Sequence, residues 1–170
     1  SGPRLKNSRI PITISQVNNF KWKTSAGEDQ FRRGMYTFFK RTSPHPNLIT
    51  FDCPDSNVTC VKRNISNTPI AALATLNNSV FTDAAKAMAK RLIKELNSDT
   101  ERITMGFQLC TARKPSTKEA AAFLTLLKKA KLYFQENETE AKAFNGDAEA
   151  SAWATLTRIF LNLDEFISRE

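Results

Sequence analysis

Helix-start signals recur through roughly the last hundred residues of this chain, and they leave room for little but an α-helical body there. Thr68 stands before Pro69, so a hydroxyl can take up an orphan N–H while proline occupies the first helical position, where a missing N–H costs nothing. This helix is predicted to run to about Leu76. Ser79 or Thr82 opens the next, in which Val80, Ala84, Ala87, Met88, Leu92 and Leu96 repeat at helical spacing to about Asn97. Asp99 is placed as the cap of a third helix through Cys110. Ser116-Thr117-Lys118-Glu119 is a capping box for a fourth, reaching about Gln135. An acidic, glycine-containing linker, Glu136 to Asp147, precedes a last helix with one apolar stripe of Trp153, Leu156, Phe160, Leu163 and Ile167.

Ahead of Thr68 the chain changes character. Ile10-Pro11-Ile12-Thr13-Ile14 alternates like a short strand, with Pro11 keeping it at an edge. Phe31 to Arg41 carries helical spacing at Phe31, Met35 and Phe38 or Phe39, but Gly34 and the β-prone Tyr36-Thr37-Phe38-Phe39 favour a strand. Ser43-Pro44-His45-Pro46 reads as a break, Leu48 to Phe51 as a second extended piece and Cys53 to Asn57 as a turn. The predicted fold is mainly α: about five helices in one bundle-like core, with a small extended or β-hairpin N-terminal part. At 170 residues and 41% hydrophobic content a single domain is expected, 1–67 being its extended, basic, aromatic-rich part and 68–170 its helical part.

Charge is distributed as unevenly as structure. Residues 1–63 hold eleven Lys or Arg against four Asp or Glu, whereas 64–170 hold fourteen against thirteen, so nearly all of the net +8 belongs to the first third. Such asymmetry implies an acidic partner. Candidate binding residues are Arg32, Arg33, Tyr36, Lys40, Arg41, His45, Asp52, Lys62 and Arg63. Interleaved aromatics supply stacking faces, and the cations grip phosphate, sulfate or carboxylate. In the competing account the cations pair with Asp52, Asp55 and helix C-termini, and the aromatics are core.

Catalytic signatures do not assemble. His45, the sole histidine, lies between two prolines, which leaves neither a histidine-based metal site nor a Ser-His-Asp triad. The carboxylate pairs Glu28-Asp29, Asp52-Asp55 and Asp164-Glu165 are assigned no catalytic role; adjacent residues point apart, and the last pair fits a cap on the closing turn. No glycine-rich phosphate loop and no Cys-x-x-Cys-His heme attachment motif occurs, so no metal, cofactor or catalytic residue is assigned. No apolar run approaches membrane-span length, and Ser1-Gly2-Pro3 lacks the layout of a signal peptide.

Several motifs together resemble a known family: Arg33-Gly34-Met35-Tyr36-Thr37-Phe38-Phe39-Lys40-Arg41-Thr42, Phe51-Asp52-Cys53-Pro54-Asp55, Asn67-Thr68-Pro69-Ile70-Ala71-Ala72-Leu73, Leu76-Asn77 and Leu161-Asn162-Leu163-Asp164-Glu165-Phe166. In this order they resemble the planctomycete-type domain of unknown function, family 1553. The resemblance implies that this chain is the C-terminal part of that domain, which lies at the C-terminus of large secreted or periplasmic bacterial proteins that often also carry a cytochrome c domain, with a helical segment upstream of the position of Gly2-Pro3. On that reading this chain is a fragment, and Leu5, Ile10, Ile12, Ile14, Val17, Phe20 and Trp22 are expected to be uncovered and to favour a dimer or self-association.

Export would also supply oxidising conditions, under which Cys53 and Cys60, with six residues between them including the Pro54-Asp55 turn, are expected to form a disulfide contributing roughly 2–3 kcal/mol. Cys110 is expected to stay a buried thiol. The functional expectation is a non-catalytic accessory or binding module that offers its basic-aromatic segment to an acidic polymer or a neighbouring domain. An enzyme acting on sulfated polysaccharide is the alternative, and nucleic-acid binding a disfavoured third.

Overall fold

The computed structural model describes Gly27 and residues 34–36, 38–40, 44–54, 57–62 and 68–167. The expected Ile10–Ile14 strand and the apolar residues between Leu5 and Trp22 lie outside that range. Among the described residues the chain is helical, with no strand: a 3-10 turn at Gly34–Tyr36, then α1 Pro46–Thr50, α2 Pro69–Asn77, α3 Ser79–Glu95, α4 Asp99–Thr111, α5 Thr117–Glu136, α6 Glu138–Asn145, α7 Ala148–Phe160 and α8 Asp164–Ile167. The chain divides into two compact units, one of residues 1–74 with 78–80, the other of 75–77 with 81–170.

The helix starts that capping chemistry specifies are found in both units. The Thr68 hydroxyl accepts from Ala71 N at 3.1 Å, with Pro69 opening α2. The capping box is complete, Glu119 N donating to Ser116 Oγ at 3.3 Å and Ser116 N to Glu119 Oε2 at 2.7 Å. One start needs correcting: Ser98 holds the N-cap position of α4, and Asp99 is its first helical residue, where its carboxylate meets Lys131 Nζ at 2.7 Å.

The expected linker is also a correction, because most of it folds as α6. Glu138 and Glu140 suit the positive end of that helix, Ala141 is buried, and Phe144 stacks on Phe134 with centroids 6.1 Å apart. Burial of these two side chains outweighs the acidic composition, and Gly146, at φ 101°, ends the helix in a conformation open mainly to glycine. The single last helix becomes two: Asp147 caps α7 through Ala150 N at 2.7 Å, α7 stops at Phe160, and α8 follows.

α7 is the axis of the second unit. It packs on α4, α5 and α6, and Ala152, Trp153, Ala154, Leu156, Thr157 and Phe160 are all buried along it. Phe160 meets Phe123 edge-on at 5.0 Å and Phe107 at 6.2 Å, and Phe107 lies 5.6 Å from Phe123. Alanines at 85, 89, 152 and 154 allow helices to approach closely; the Thr157 hydroxyl reaches Ala85 O at 2.9 Å and the Ser151 hydroxyl reaches Ala141 O at 2.9 Å, so neither buried oxygen lacks a partner.

Gly106 is required on α4 by that packing. A Cβ there would lie 2.9 Å from Phe160 Cε2 and 3.0 Å from Leu92 Cδ1. Gly106→Ala is expected to destabilise the protein by about 1–2 kcal/mol, the overpacking cost outweighing the gain in helix propensity. Urea unfolding with an unchanged or raised midpoint would show that the ring moves aside.

Arg113, just after α4, joins three parts of the unit. It forms bidentate contacts with Glu119 (2.8 and 3.0 Å) and Glu165 (2.6 and 2.8 Å), and its guanidinium lies 4.8 Å over the Phe107 ring. The Arg113 hydrogen bond, aided by Ser116, holds the Glu119 carboxyl down at about 2, and Arg113 likewise lowers Glu165. Carboxylates depressed in the folded state stabilise it above their ordinary value near 4.5, and the contribution is lost as pH falls toward 2. Carboxyl-carbon NMR is therefore expected to show Glu119 titrating well below the exposed glutamates, with α8 amides exchanging faster across the same interval. An ordinary Glu119 titration would contradict this bridge.

Candidate functional site

The first unit holds a cleft of about 610 Å³ in the segment where the sequence concentrates cations and aromatics. Its construction starts at α1, the correction to the expected extended piece at 48–51. Pro46 opens the helix with φ already set, and His45 O accepts from Leu48 N at 2.9 Å and Ile49 N at 3.3 Å. Thr50, β-branched and otherwise out of place, returns its hydroxyl to Pro46 O at 2.9 Å.

The helix closes with a Schellman pair: Cys53 N donates to Leu48 O at 2.8 Å and Asp52 N to Ile49 O at 3.2 Å. Asp52 takes the left-handed conformation, φ 52°, that glycine usually supplies. Asp tolerates it, and the reversal sends Cys53 and Pro54 back along the cleft. The 3-10 turn at Gly34–Tyr36 replaces the expected strand there, and a Cβ on Gly34 would sit 3.0 Å from Leu48 Cδ2.

The cleft walls are mostly apolar: Phe39, Pro44, Ile49, Pro54, Val58 and Val61. Asp52, Thr59 and Lys62 add polar groups, and Cys53 and Cys60 add two free thiols. Of the residues singled out in the sequence, Asp52 and Lys62 meet in this cleft; Tyr36 is 43% exposed and Lys40 is half-buried. His45 is only 4% exposed at the N-cap of α1, a position that withholds it from a large surface ligand. Arg32, Arg33, Arg41 and Arg63 lie outside the described residues, as do Glu28, Asp29 and Asp55.

The account in which the aromatics are core does not hold for Tyr36 and Phe38, which is 47% exposed. Ile49, Val58 and Val61 are more exposed still. Sequence reading missed Ile49, Val58, Thr59 and Val61 as cleft residues, because only the α1 reversal brings 49 and 58–61 to one place. No group of three or more His, Cys, Asp or Glu suited to a metal occurs among the described residues. No helix among them is long and apolar enough to cross a membrane.

The family model described as "Protein of unknown function (DUF1553)" matches residues 2–127. The chain belongs to this family. The DUF1553 match takes in every residue lining the cleft and ends within α5, so α6 to α8 follow the matched range. Neither the curated proteins nor the solved structures give a match.

Proposed function

We propose that this DUF1553 chain is a binding module, in which the segment around α1 offers exposed aromatics and a lysine-edged apolar cleft to an acidic partner. The partner is an acidic polymer or an acidic face of a neighbouring domain. The observation that carries the proposal is the exposure of Tyr36 and Phe38 in the most basic third of the chain, within three residues of Phe39, which lines the same cleft as Lys62. Aromatic side chains recruited for stability are normally buried. Left at the surface in a cation-rich stretch of sequence, they suit a partner with both negative charge and flat or apolar faces. A secreted or periplasmic parent protein, with or without a cytochrome c domain, is the setting that the family resemblance implies.

Heparin and dextran sulfate are suitable probes. Phe38→Ala and Lys62→Glu are both expected to weaken binding while circular dichroism stays unchanged, since Phe38 is half exposed and Lys62 is exposed. Equal affinity in wild type and both variants would refute the assignment. Single-stranded oligonucleotide, run beside them, tests the disfavoured nucleic-acid alternative. Sedimentation of the same samples tests self-association through exposed Val61, Ile70 or Leu73.

A second reading, hydrolysis of a sulfated polysaccharide, is favoured only by the presence of Asp52 in the cleft. Asp52→Asn is a clean variant, because asparagine also tolerates the left-handed backbone at this position. Turnover in the wild type that disappears in Asp52→Asn would establish the enzyme.

A further inference from the structure

The cleft contains two thiols, and they are held very differently. Cys53 is half-buried and anchored by its N–H to Leu48 O at 2.8 Å, as part of the turn that ends α1. Cys60 is exposed, its Sγ donating only a weak bond of 3.2 Å to Lys62 O, and its neighbour Val61 is 99% exposed, so almost nothing packs on that side of the 57–62 segment. The two are seven positions apart in sequence and line the same cleft.

We propose that Cys53 and Cys60 are a redox pair whose disulfide closes the cleft. Cys60 is the arm that moves and Cys53 the fixed point. Joining them draws Val58 to Val61 toward the end of α1 and narrows the space between Ile49 and Val61. With glutathione disulfide as oxidant, the Cys60 thiolate attacks one of its sulfurs, forming a mixed disulfide and releasing one glutathione thiolate. The Cys53 thiolate then attacks the Cys60 sulfur and releases the second glutathione. Two cysteine thiols are oxidised to one disulfide, one glutathione disulfide is reduced to two thiols, and the two cysteine protons end on the released glutathiones. Cys110 stays out of the exchange: it sits half-buried on α4, where burial pushes its thiol up to about 11. The inference concerns the shape of the cleft and does not depend on what fills it.

The test equilibrates the protein across glutathione redox buffers, alkylates free thiols and maps the peptides. Alkylatable thiols are expected to fall from three to one, with a Cys53–Cys60 link and Cys110 still modified. Binding of anilinonaphthalenesulfonate, an apolar anion suited to apolar walls near a lysine, is expected to drop on oxidation in the wild type and to be unchanged by oxidant in Cys60→Ser. Three alkylatable thiols at every potential, or a link through Cys110, would overturn the pair. A Cys53–Cys60 link that leaves dye binding unaltered would overturn the closure.

Discussion

Replacing Phe160 by alanine is expected to lower the melting temperature by about 6–20 °C. The ring is fully buried, touches Phe107 and Phe123 edge-on, and fills the space that Gly106 leaves open on α4. Its removal costs the transfer free energy of a phenyl group plus a cavity between three helices, about 3–5 kcal/mol together. For a chain of this length each kcal/mol moves the midpoint by roughly 2–4 °C. The loss is between about a fifth and all of a typical domain stability of about 5–15 kcal/mol. A loss below about 1 kcal/mol by urea unfolding would mean that α4 and α5 collapse into the gap and that α7 is not the axis described above.

Arg102→Ala is expected to produce the next largest loss, about 2–3 kcal/mol. Arg102 is a buried cation at the start of α4, 8% exposed. Its Nη1 donates to Glu149 Oε1 at 2.7 Å, Nε to Leu96 O at 2.9 Å and Nη2 to Ile93 O at 3.3 Å, and its guanidinium lies 5.7 Å over the Trp153 ring. It thus satisfies carbonyls at the C-terminal end of α3 and ties that end to α7. Glu149 is half exposed and can be rehydrated, so the loss should come mainly from the two carbonyls and from packing on Trp153. Glu149→Gln should accordingly cost well under 1 kcal/mol. If the glutamine variant proves as damaging as Arg102→Ala, the ion pair and not the carbonyl contacts holds this corner.

How much of this was legible in the sequence follows from the range of each interaction. Thr68 with Pro69 and Ser116 with Glu119 fix helix starts through contacts three residues long, and those starts are found. α6 was hidden because its surface composition is that of a loop, and what makes it helical, Phe144 against Phe134, is visible only once α5 is in place. α1 was hidden by prolines that look like breaks, although Pro46 is a helix opener, and by Asp52 where a helix end normally shows glycine. Nothing near Arg102 in sequence distinguishes it from a surface arginine: the Asp99 carboxylate, 3.6 Å away, is an i,i+3 pair that exposed arginines also make, and its hydrogen-bond partners lie six, nine and forty-seven residues away. For the site, the chemistry was legible and the geometry was not. Asp52 and Lys62 were singled out from charge, but their meeting with Ile49, Val58 and Val61 depends on the chain reversing after α1.

The central claim, that the basic first third receives an acidic partner, is tested most directly by heparin affinity across a salt series. Wild type, Lys62→Glu and Arg33→Ala are compared at matched fold content. Because released counterions drive such binding, the logarithm of affinity is expected to fall linearly with the logarithm of salt concentration in the wild type, and both variants should bind more weakly with a shallower slope. A weak interaction that is insensitive to salt and identical in all three proteins would contradict the claim.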